Sequence, residues 1–410
     1  MNTADSHFLT VQYSIVHEGL YNAGHSKGAR GYGCQWGGSP ATYHHNLLAH
    51  NNSRSCRFNG ARGEDNVVFM EYVNNVNYNY GKNNCYGGEN TANISDYNGL
   101  NSAHECNFMA NYYKPGPNSS KTDVTFVNSS YAREGARSWA PAKWFVEGNK
   151  AEGFPAATAD NWKAMKAETY TLDQIKAAER IVTKTPWYKY TLSGSVGRYI
   201  PERYMLEGFE TADQAFATVI AKAGTVNRDL VEARVAAEAR DGKAAKGGAT
   251  LGNGILDSET DAEGFYAYST DYTVPADTDG DGIPDEWEKA HGLNPASAED
   301  GNYVNAEGYT ALEAYLNSLM GETVMDGFES AIADIRVPSE PIGYDAATAT
   351  LTVGADAVGA NIAIYTTDGR LVHSGRVAAS TVSLADLPAA IYLIRVYSPI
   401  LAPRIAKVRR

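Results

Sequence analysis

The sequence predicts a mainly β chain: a right-handed parallel β-helix with packed helical segments, then an acidic loop with a helix, then a small C-terminal β-sandwich. Three observations carry this expectation. Over the first 150 residues an Asn returns at one register of short strand-like segments. No 3.6-residue apolar period runs through that stretch, which is rich instead in Asn, Tyr, Gly and His. Beyond Pro338 the pattern becomes alternating strands about an Asp368-Gly369 turn.

The β-helix is read from segments that align on one another. These are Tyr43-His-His-Asn-Leu-Leu-Ala-His, Tyr72-Val-Asn-Asn-Val-Asn-Tyr-Asn, Glu105-Cys-Asn-Phe-Met-Ala-Asn, Phe126-Val-Asn-Ser-Ser-Tyr and Phe145-Val-Glu-Gly-Asn-Lys. Their anchors are Asn46, Asn75, Asn107, Asn128 and Asn149, with Ser14 as the first, at spacings of 32, 29, 32, 21 and 21. The short spacings suit one turn of a solenoid, the longer ones a turn with a loop inserted, and about six turns are expected. Asn suits a corner because it tolerates left-handed backbone angles and its amide can bond the turns on either side. Ser53-Arg-Ser-Cys56-Arg lines up with Lys82-Asn-Asn-Cys85-Tyr, which stacks Cys56 on Cys85 as either a disulfide or two buried thiols. Met1 leads within a few residues into the strand-like Phe8-Leu-Thr-Val-Gln-Tyr, with no signal peptide between, so the first turns are expected to be missing.

Residues 150 to about 265 change character, with helical segments over 160–242. Thr171-Leu-Asp-Gln174 and Thr211-Ala-Asp-Gln214 are capping boxes. The second opens a helix with Ala215, Phe216, Val219, Ile220 and Ala223 on one face, stopping at Gly224. Another helix runs from about Arg228 to Arg240 and stops near Gly242. Short and one-sided, these helices are expected to pack on the β-helix, so that residues 1–265 form one domain. Residues 270–320 form the loop and helix, and 338–410 the sandwich.

Composition narrows the function classes. Lys and Arg total 35 against 48 Asp and Glu, a net charge of -13, which argues against a nucleic-acid partner. No run of 18 apolar residues occurs, so no transmembrane helix is expected. The four cysteines match no zinc spacing.

The strongest local motif is Asp277-Thr-Asp-Gly-Asp-Gly-Ile-Pro-Asp-Glu-Trp-Glu288. Carboxylates at Asp277, Asp279, Asp281, Asp285 and Glu288, a carbonyl at Ile283 and Gly282 at the turn make a cage for calcium (Ca2+). Pro284 departs from an ordinary EF-hand and resembles the extracellular thrombospondin type 3-like calcium repeats. Asp300-Gly-Asn302 offers further oxygens at poor spacing.

A second set of motifs comprises Gly24-His-Ser-Lys27-Gly, Gly31-Tyr-Gly-Cys-Gln-Trp-Gly-Gly38 and His44-His-Asn-Leu-Leu-Ala-His50-Asn-Asn-Ser-Arg54-Ser-Cys-Arg57-Phe-Asn-Gly. It continues through Tyr86-Gly-Gly-Glu89, Asn111-Tyr-Tyr-Lys-Pro-Gly-Pro117 and Asp160-Asn-Trp162. Together with the acidic loop these resemble pectate lyases of polysaccharide lyase family 1, of the Bacteroidetes type, over roughly residues 8–320. The resemblance implies β-elimination of de-esterified homogalacturonan, with Arg54 removing the C5 proton of a galacturonate. It implies that Lys27 binds the substrate carboxylate, that Arg57 is a further cation of the site, and that calcium is required. Trp36 is a candidate platform for a sugar ring or a core residue. Cys56 stands where the family has proline and Asn59 where it often has arginine. The family's catalytic calcium ligands fall on turns preceding residue 1. An arginine base suits this chemistry only where surrounding positive charge favours its neutral form.

The C-terminal Ile364-Tyr-Thr-Thr-Asp-Gly-Arg370, Leu387-Pro-Ala-Ala-Ile-Tyr392 and Lys407-Val-Arg-Arg410 resemble a type IX secretion sorting domain. That implies a partner in the secretion machinery and a protein that is secreted or held at the outer-membrane surface, expected as a monomer acting on an acidic polysaccharide. The competing reading is a non-catalytic polyuronate-binding or structural β-helix remnant. A polygalacturonase-type hydrolase is disfavoured, because residues 8–90 hold a single aspartate, Asp65.

Overall fold

Five successive turns of three short strands build the first part of the chain. The computed structural model describes residues 3, 6, 9–60, 68–81, 84–88, 104–129, 142–168, 170–181, 188–190, 196–198, 208–224, 228–264, 271, 273–329, 342–398 and 401–410. Phe8, Asp65, Lys82, Asn83, Glu89 and Pro338 of the segments above lie outside these. The described residues fall into two units, Met1–Thr270 and Asp271–Arg410.

In the first unit the turns are β1 (Leu9–Gln12), β2 (Ile15–His17) and β3 (Gln35–Trp36); β4 (Ala41–His44), β5 (Leu47–Ala49) and β6 (Arg57–Phe58); β7 (Val68–Val73), β8 (Val76–Tyr78) and β9 (Tyr86–Gly87); β10 (His104–Met109), β11 (Tyr112–Lys114) and β12 (Val127–Ser129); and β13 (Lys143–Glu147), β14 (Lys150–Ala151) and β15 (Met165–Ala167). Every third strand pairs in parallel, giving three five-stranded sheets in the orders β1-β4-β7-β10-β13, β2-β5-β8-β11-β14 and β3-β6-β9-β12-β15. Such stacking is consistent with a β-helix.

The bend between the first and second sheets explains the recurring asparagine. Tyr13, His45, Asn74, Ala110 and Gly148 each take a positive φ there. The next residue is Ser14, Asn46, Asn75, Asn111 or Asn149. Oδ1 of Asn46 accepts the Ser14 N–H at 3.0 Å, and the pattern repeats from Asn75 to Asn46 at 3.0 Å, Asn111 to Asn75 at 2.9 Å and Asn149 to Asn111 at 2.9 Å. The amide nitrogens donate to carbonyls of the previous turn, those of Val11, Tyr43, Tyr72 and Phe108. Two of the expected anchors are therefore corrected. The ladder runs through Asn111 rather than Asn107, which lies on β10, while Asn128 lies on β12 of the third sheet. Five turns, not six, are seen among the described residues, because the segment that looked like two turns of 21 residues is one turn of 38 between Asn111 and Asn149.

The interior is a column of rings. Trp36 stacks on Tyr43 at 4.4 Å and Tyr72 on Phe108 at 5.2 Å, with Phe58 edge-on to Trp144 at 4.9 Å. Cys34, Cys56, Cys85 and Cys106 are buried in the same column as free thiols, which settles the choice left open for Cys56 and Cys85.

Helix α1 (Pro155–Ala159) and a 3-10 turn at Asn161–Ala164 lie within the last turn, between β14 and β15, and α2 (Leu172–Ile175) follows it. Asn161 ends the ladder, accepting the Asn149 N–H at 2.8 Å. After the short antiparallel pair β16 (Tyr188–Tyr190) and β17 (Val196–Arg198), α3 (Ala212–Lys222) and α4 (Leu230–Asp241) pack on the second sheet. Ala212, Val219, Ala223, Val235, Ala236 and Ala239 share a cluster there with Leu47, Ala49, Val76 and Tyr78.

In the second unit, α5 (Asp285–Ala290) leaves the acidic loop and α6 (Ala311–Leu319) starts at a Thr310–Glu313 capping box. Strands β18 (Gly343–Asp345), β19 (Thr350–Thr352), β20 (Asn361–Thr366), β21 (Leu371–Arg376), β22 (Thr381–Ser383), β23 (Ile391–Ser398) and β24 (Leu401–Arg409) follow. They form two antiparallel sheets, β18-β19-β22 and β21-β20-β23-β24, around a core that includes Leu351, Ile362, Ile364, Ile394 and Val396. Gly369 turns the β20–β21 hairpin at φ 84°.

Candidate active site

Arg54 sits at the corner before β6 with φ 62°. His50 and Asn79 are also left-handed, but they stand at a different corner, directly after β5 and β8. The turn beneath is packed against it. The Cys34 N–H donates to the Arg54 carbonyl at 2.9 Å, and a Cβ on Gly33 would stand 2.7 Å from that oxygen. Glycine at 33 is what allows this approach.

The guanidinium is held on the outer side of the third sheet. Nε donates to the Tyr86 hydroxyl at 2.9 Å and Nη1 to Oε1 of Gln35 at 3.2 Å. Cζ lies 4.0 Å from the centre of the Tyr32 ring and 6.0 Å from that of Tyr86. Arg30 also reaches Tyr32, with Cζ 5.4 Å from the ring centre and Nη1 donating to the hydroxyl at 3.3 Å. Gln35 is turned by Asn59, whose Oδ1 accepts from Nε2 at 2.6 Å. With that bond made, the Gln35 oxygen faces Arg54. The five residues Arg30, Tyr32, Gln35, Arg54 and Tyr86 are all half-buried. This is a cationic ledge with aromatic walls, and Nη2 of Arg54 has no partner among the described residues.

Other expected site residues lie elsewhere. Lys27 is exposed in the loop before β3; its N–H donates to Nδ1 of His25 at 3.0 Å and its carbonyl accepts from Arg30 at 3.5 Å. No described bond joins its side chain to Arg54. Arg57 is interior, 2 % exposed, with Nη1 donating to the Phe58 carbonyl at 2.7 Å and Cζ 5.0 Å from the Tyr86 ring centre. Burial and then the Arg57 charge push the neighbouring His104 down to about 3. Trp36 is wholly buried beneath Tyr43, so neither ring face is open to a ligand. Sequence reasoning missed Arg30, Tyr32, Gln35 and Tyr86 as companions of Arg54. The parallel bridge of Tyr32 with Ser53, and the β6–β9 pairing that brings up Tyr86, become visible only once the turns are in register.

The histidines near Arg54 in sequence serve packing. Nδ1 of His44 and Nδ1 of His45 are 2.7 Å apart, and Nε2 of His45 lies 3.3 Å from the Glu210 carboxylate. Burial, then His45, holds His44 down at about 3.

In the acidic loop, Asp279, Asp281 and Glu288 converge with Asp300, one oxygen of each lying within 4.8 Å of the others. Asp277 has both oxygens on the N–H groups of Gly280 (2.8 Å) and Gly282 (3.1 Å). Asp285 has both on Thr278, at 2.7 Å to the N–H and 2.8 Å to the hydroxyl. Ile283 is buried behind the loop. Burial, then the charges of Asp279, Asp281, Asp300 and Asp285, raise Glu288 to about 7. Hard oxygens crowded this closely suit a divalent cation such as calcium.

No protein-family model matches the chain. It is 28 % identical over 324 residues to a protein of Neosartorya fischeri called probable pectate lyase C, covering 78 % of this chain and 61 % of that one. Proteins with the same name from Aspergillus fumigatus (26 % over 324 residues, 78 % and 61 % covered) and Aspergillus flavus (28 % over 315 residues, 76 % and 60 %) are similar to it as well. The chain thus spans about three fifths of the length of the curated relatives it matches. No helix is long and apolar enough to cross a membrane among the described residues.

Proposed function

We propose that the chain is a pectate lyase-like polysaccharide lyase that cleaves de-esterified homogalacturonan by β-elimination, with Arg54 as the base. The observation that supports this most directly is the guanidinium of Arg54, held by Tyr86, Gln35 and Tyr32 on a parallel β-stack, in a chain similar to proteins called pectate lyases. The C5–H of a galacturonate is acidified by its carboxylate. The unprotonated guanidine takes this proton at Nη2, the freed electron pair forms the C4–C5 double bond, and the C4–O bond breaks. The departing glycosidic oxygen takes up a proton from solvent water, and the Arg54 guanidinium returns its own to solvent. A guanidine serves as base only if its cation is disfavoured.

In this reading Lys27 binds a substrate carboxylate from its exposed loop. Arg57 and Trp36 act from the interior, Arg57 by its field and Trp36 by supporting the strand that carries Gln35. Calcium is held in the second unit by the Asp277–Glu288 loop, where Asp279, Asp281 and Glu288 would be ligands and the ion would tie the loop together. No step at Arg54 is routed through it. The protein is read as a secreted or outer-membrane-surface monomer, with its C-terminal sandwich handling export.

A second reading, polyuronate binding without turnover, is favoured by Asn59. It stands where the resembled family often has an arginine, and its side chain is spent on Gln35. The test is release of unsaturated uronide from polygalacturonate, followed by ultraviolet absorbance, for wild type and Arg54→Ala. Product that falls by at least about 100-fold in the variant, with binding of polygalacturonate retained, is expected. Absence of product from wild type in calcium and in chelator alike, with binding intact, would favour the second reading.

A further inference from the structure

We infer that Asp300, twelve residues beyond the acidic loop, is a direct ligand of the loop's cation, so that the ion is gripped by two separate segments rather than by one contiguous loop. The inference rests on the reading of Asp277–Glu288 as a calcium loop and names a ligand that the motif spacing does not contain.

The first observation is geometric. Asp300 opens a short 3-10 turn, Asp300–Asn302, and its carboxylate joins those of Asp279, Asp281 and Glu288. The second concerns what these oxygens touch. Glu288 is wholly buried and Asp300 is 4 % exposed, yet both oxygens of Glu288, Oδ1 of Asp300, Oδ2 of Asp279 and Oδ2 of Asp281 have no hydrogen-bond partner. Buried carboxylate oxygens left this way are strongly unfavourable unless something cationic fills the space between them. No lysine or arginine reaches this group among the described residues, whose one nearby ion pair, Lys289 with Asp285, lies at 3.7 Å outside it. The third is the approach of the two segments. A Cβ at Gly301 would lie 2.3 Å from Oδ2 of Asp281, so the absence of a side chain at 301 is what lets Asp300 come this close. The other oxygen of Asp300 accepts the Asn294 N–H at 2.7 Å, which fixes the carboxylate with Oδ1 toward the cluster.

Asp277 and Asp285 meanwhile spend both oxygens on donors of their own loop, so the loop alone presents both oxygens of Glu288 and Oδ2 of Asp279 and Asp281, and Asp300 supplies a fourth carboxylate. Adding a charged oxygen raises affinity for a hard dication.

The experiment is titration of the chelator-stripped full chain with calcium chloride by calorimetry. Wild type is expected to bind at one site in the second unit. Asp300→Asn, which keeps an oxygen for the Asn294 N–H, is expected to weaken binding by about tenfold or more, as is Glu288→Gln. Gly301→Ala retains all four carboxylates but pushes the segments apart and is expected to weaken binding too. The exposed neighbour Glu299→Gln controls for net charge and should stay within about twofold of wild type. If Asp300→Asn and Gly301→Ala bind as wild type does while Glu288→Gln fails, the inference about Asp300 is wrong and the calcium-loop reading stands. If wild type takes up no calcium, that reading itself falls, and this one with it.

Discussion

One asparagine side chain per turn satisfies two backbone groups that the bend between the first and second sheets would otherwise bury without partners. Asn111 shows the arrangement: its oxygen takes the Asn75 N–H at 2.9 Å and its nitrogen gives to the Tyr72 carbonyl at 2.9 Å, all fully buried. Asn111→Ala removes both and leaves the two groups unpaired, at about 1–3 kcal/mol each. We expect a loss of roughly 2–5 kcal/mol in urea unfolding for Asn111→Ala. Asn128→Ala, whose amide reaches only the exposed Glu168, should change stability by less than about 1 kcal/mol. Equal losses would show that the ladder is not what holds the bend. The contrast also shows why residue spacing alone misplaced two anchors. The motif Asn-Phe-Met-Ala-Asn contains two asparagines four apart, and only a left-handed residue immediately before it, Ala110 at φ 49°, distinguishes Asn111. Asn46 and Asn149 have no such rival in their segments, whereas Asn75 shares its own with Asn74 at the αL position and with Asn77 and Asn79.

Helices α3 and α4 illustrate what local patterns disclose and what they do not. The start of α3 was legible from the Thr211–Gln214 capping box and the end of α4 from Gly242, which takes φ 71°, whereas the Asp229–Glu232 capping box that opens α4 emerges only in the structure. What fastens α4 to the strands was not legible, because the partners are 216 residues apart in sequence. Arg234 grips Glu18 with two nitrogens, at 2.8 and 2.9 Å, and reaches Glu238 at 3.3 Å. Glu238 in turn lies 2.9 Å from Nε2 of the buried His50. Burial alone would raise the Glu18 carboxyl, but His17 and Arg234 outweigh it and hold the group down at about 2 against an ordinary 4.5. A depressed carboxylate contributes stability that is fully present above the ordinary value and is lost as pH falls through the folded one. The window is therefore pH 4.5 down to about 2. The shift corresponds to about 3 kcal/mol. Arg234→Met should lower stability at pH 7 and flatten the dependence of the urea midpoint on pH across that window. A variant that keeps the wild-type slope would mean that another carboxylate sets the acid limb.

At the scale of the molecule, the class of fold was legible from a repeated asparagine and the absence of a helical period, whereas the site was legible only in part. Arg54 stood out by its motif, but the ledge around it is assembled from three consecutive turns, Gln35 on β3, Arg54 before β6 and Tyr86 on β9. No pattern within one turn reports on such a set. Likewise, the motif ranks the five carboxylates of the loop only as equals, and the fold divides them by which oxygens are already spent. A prediction follows from the two separate cores, the ring column of Met1–Thr270 and the sandwich core of Asp271–Arg410. Units with their own cores unfold as separate transitions. An ion held only by residues 279–300 stabilises the unit that contains it, and calcium at about 100 times Kd adds about 2.7 kcal/mol, which corresponds to a rise on the order of 10 °C for a unit of this size. In calorimetric scans of the full chain, chelator should lower one transition by this amount and leave the other in place. Asn111→Ala should move only the transition that chelator does not. Glu288→Gln should abolish the response to chelator altogether. A chelator-sensitive transition that survives in Glu288→Gln would locate a second ion, and if it were the one moved by Asn111→Ala, that ion would belong to the β-stack that carries Arg54.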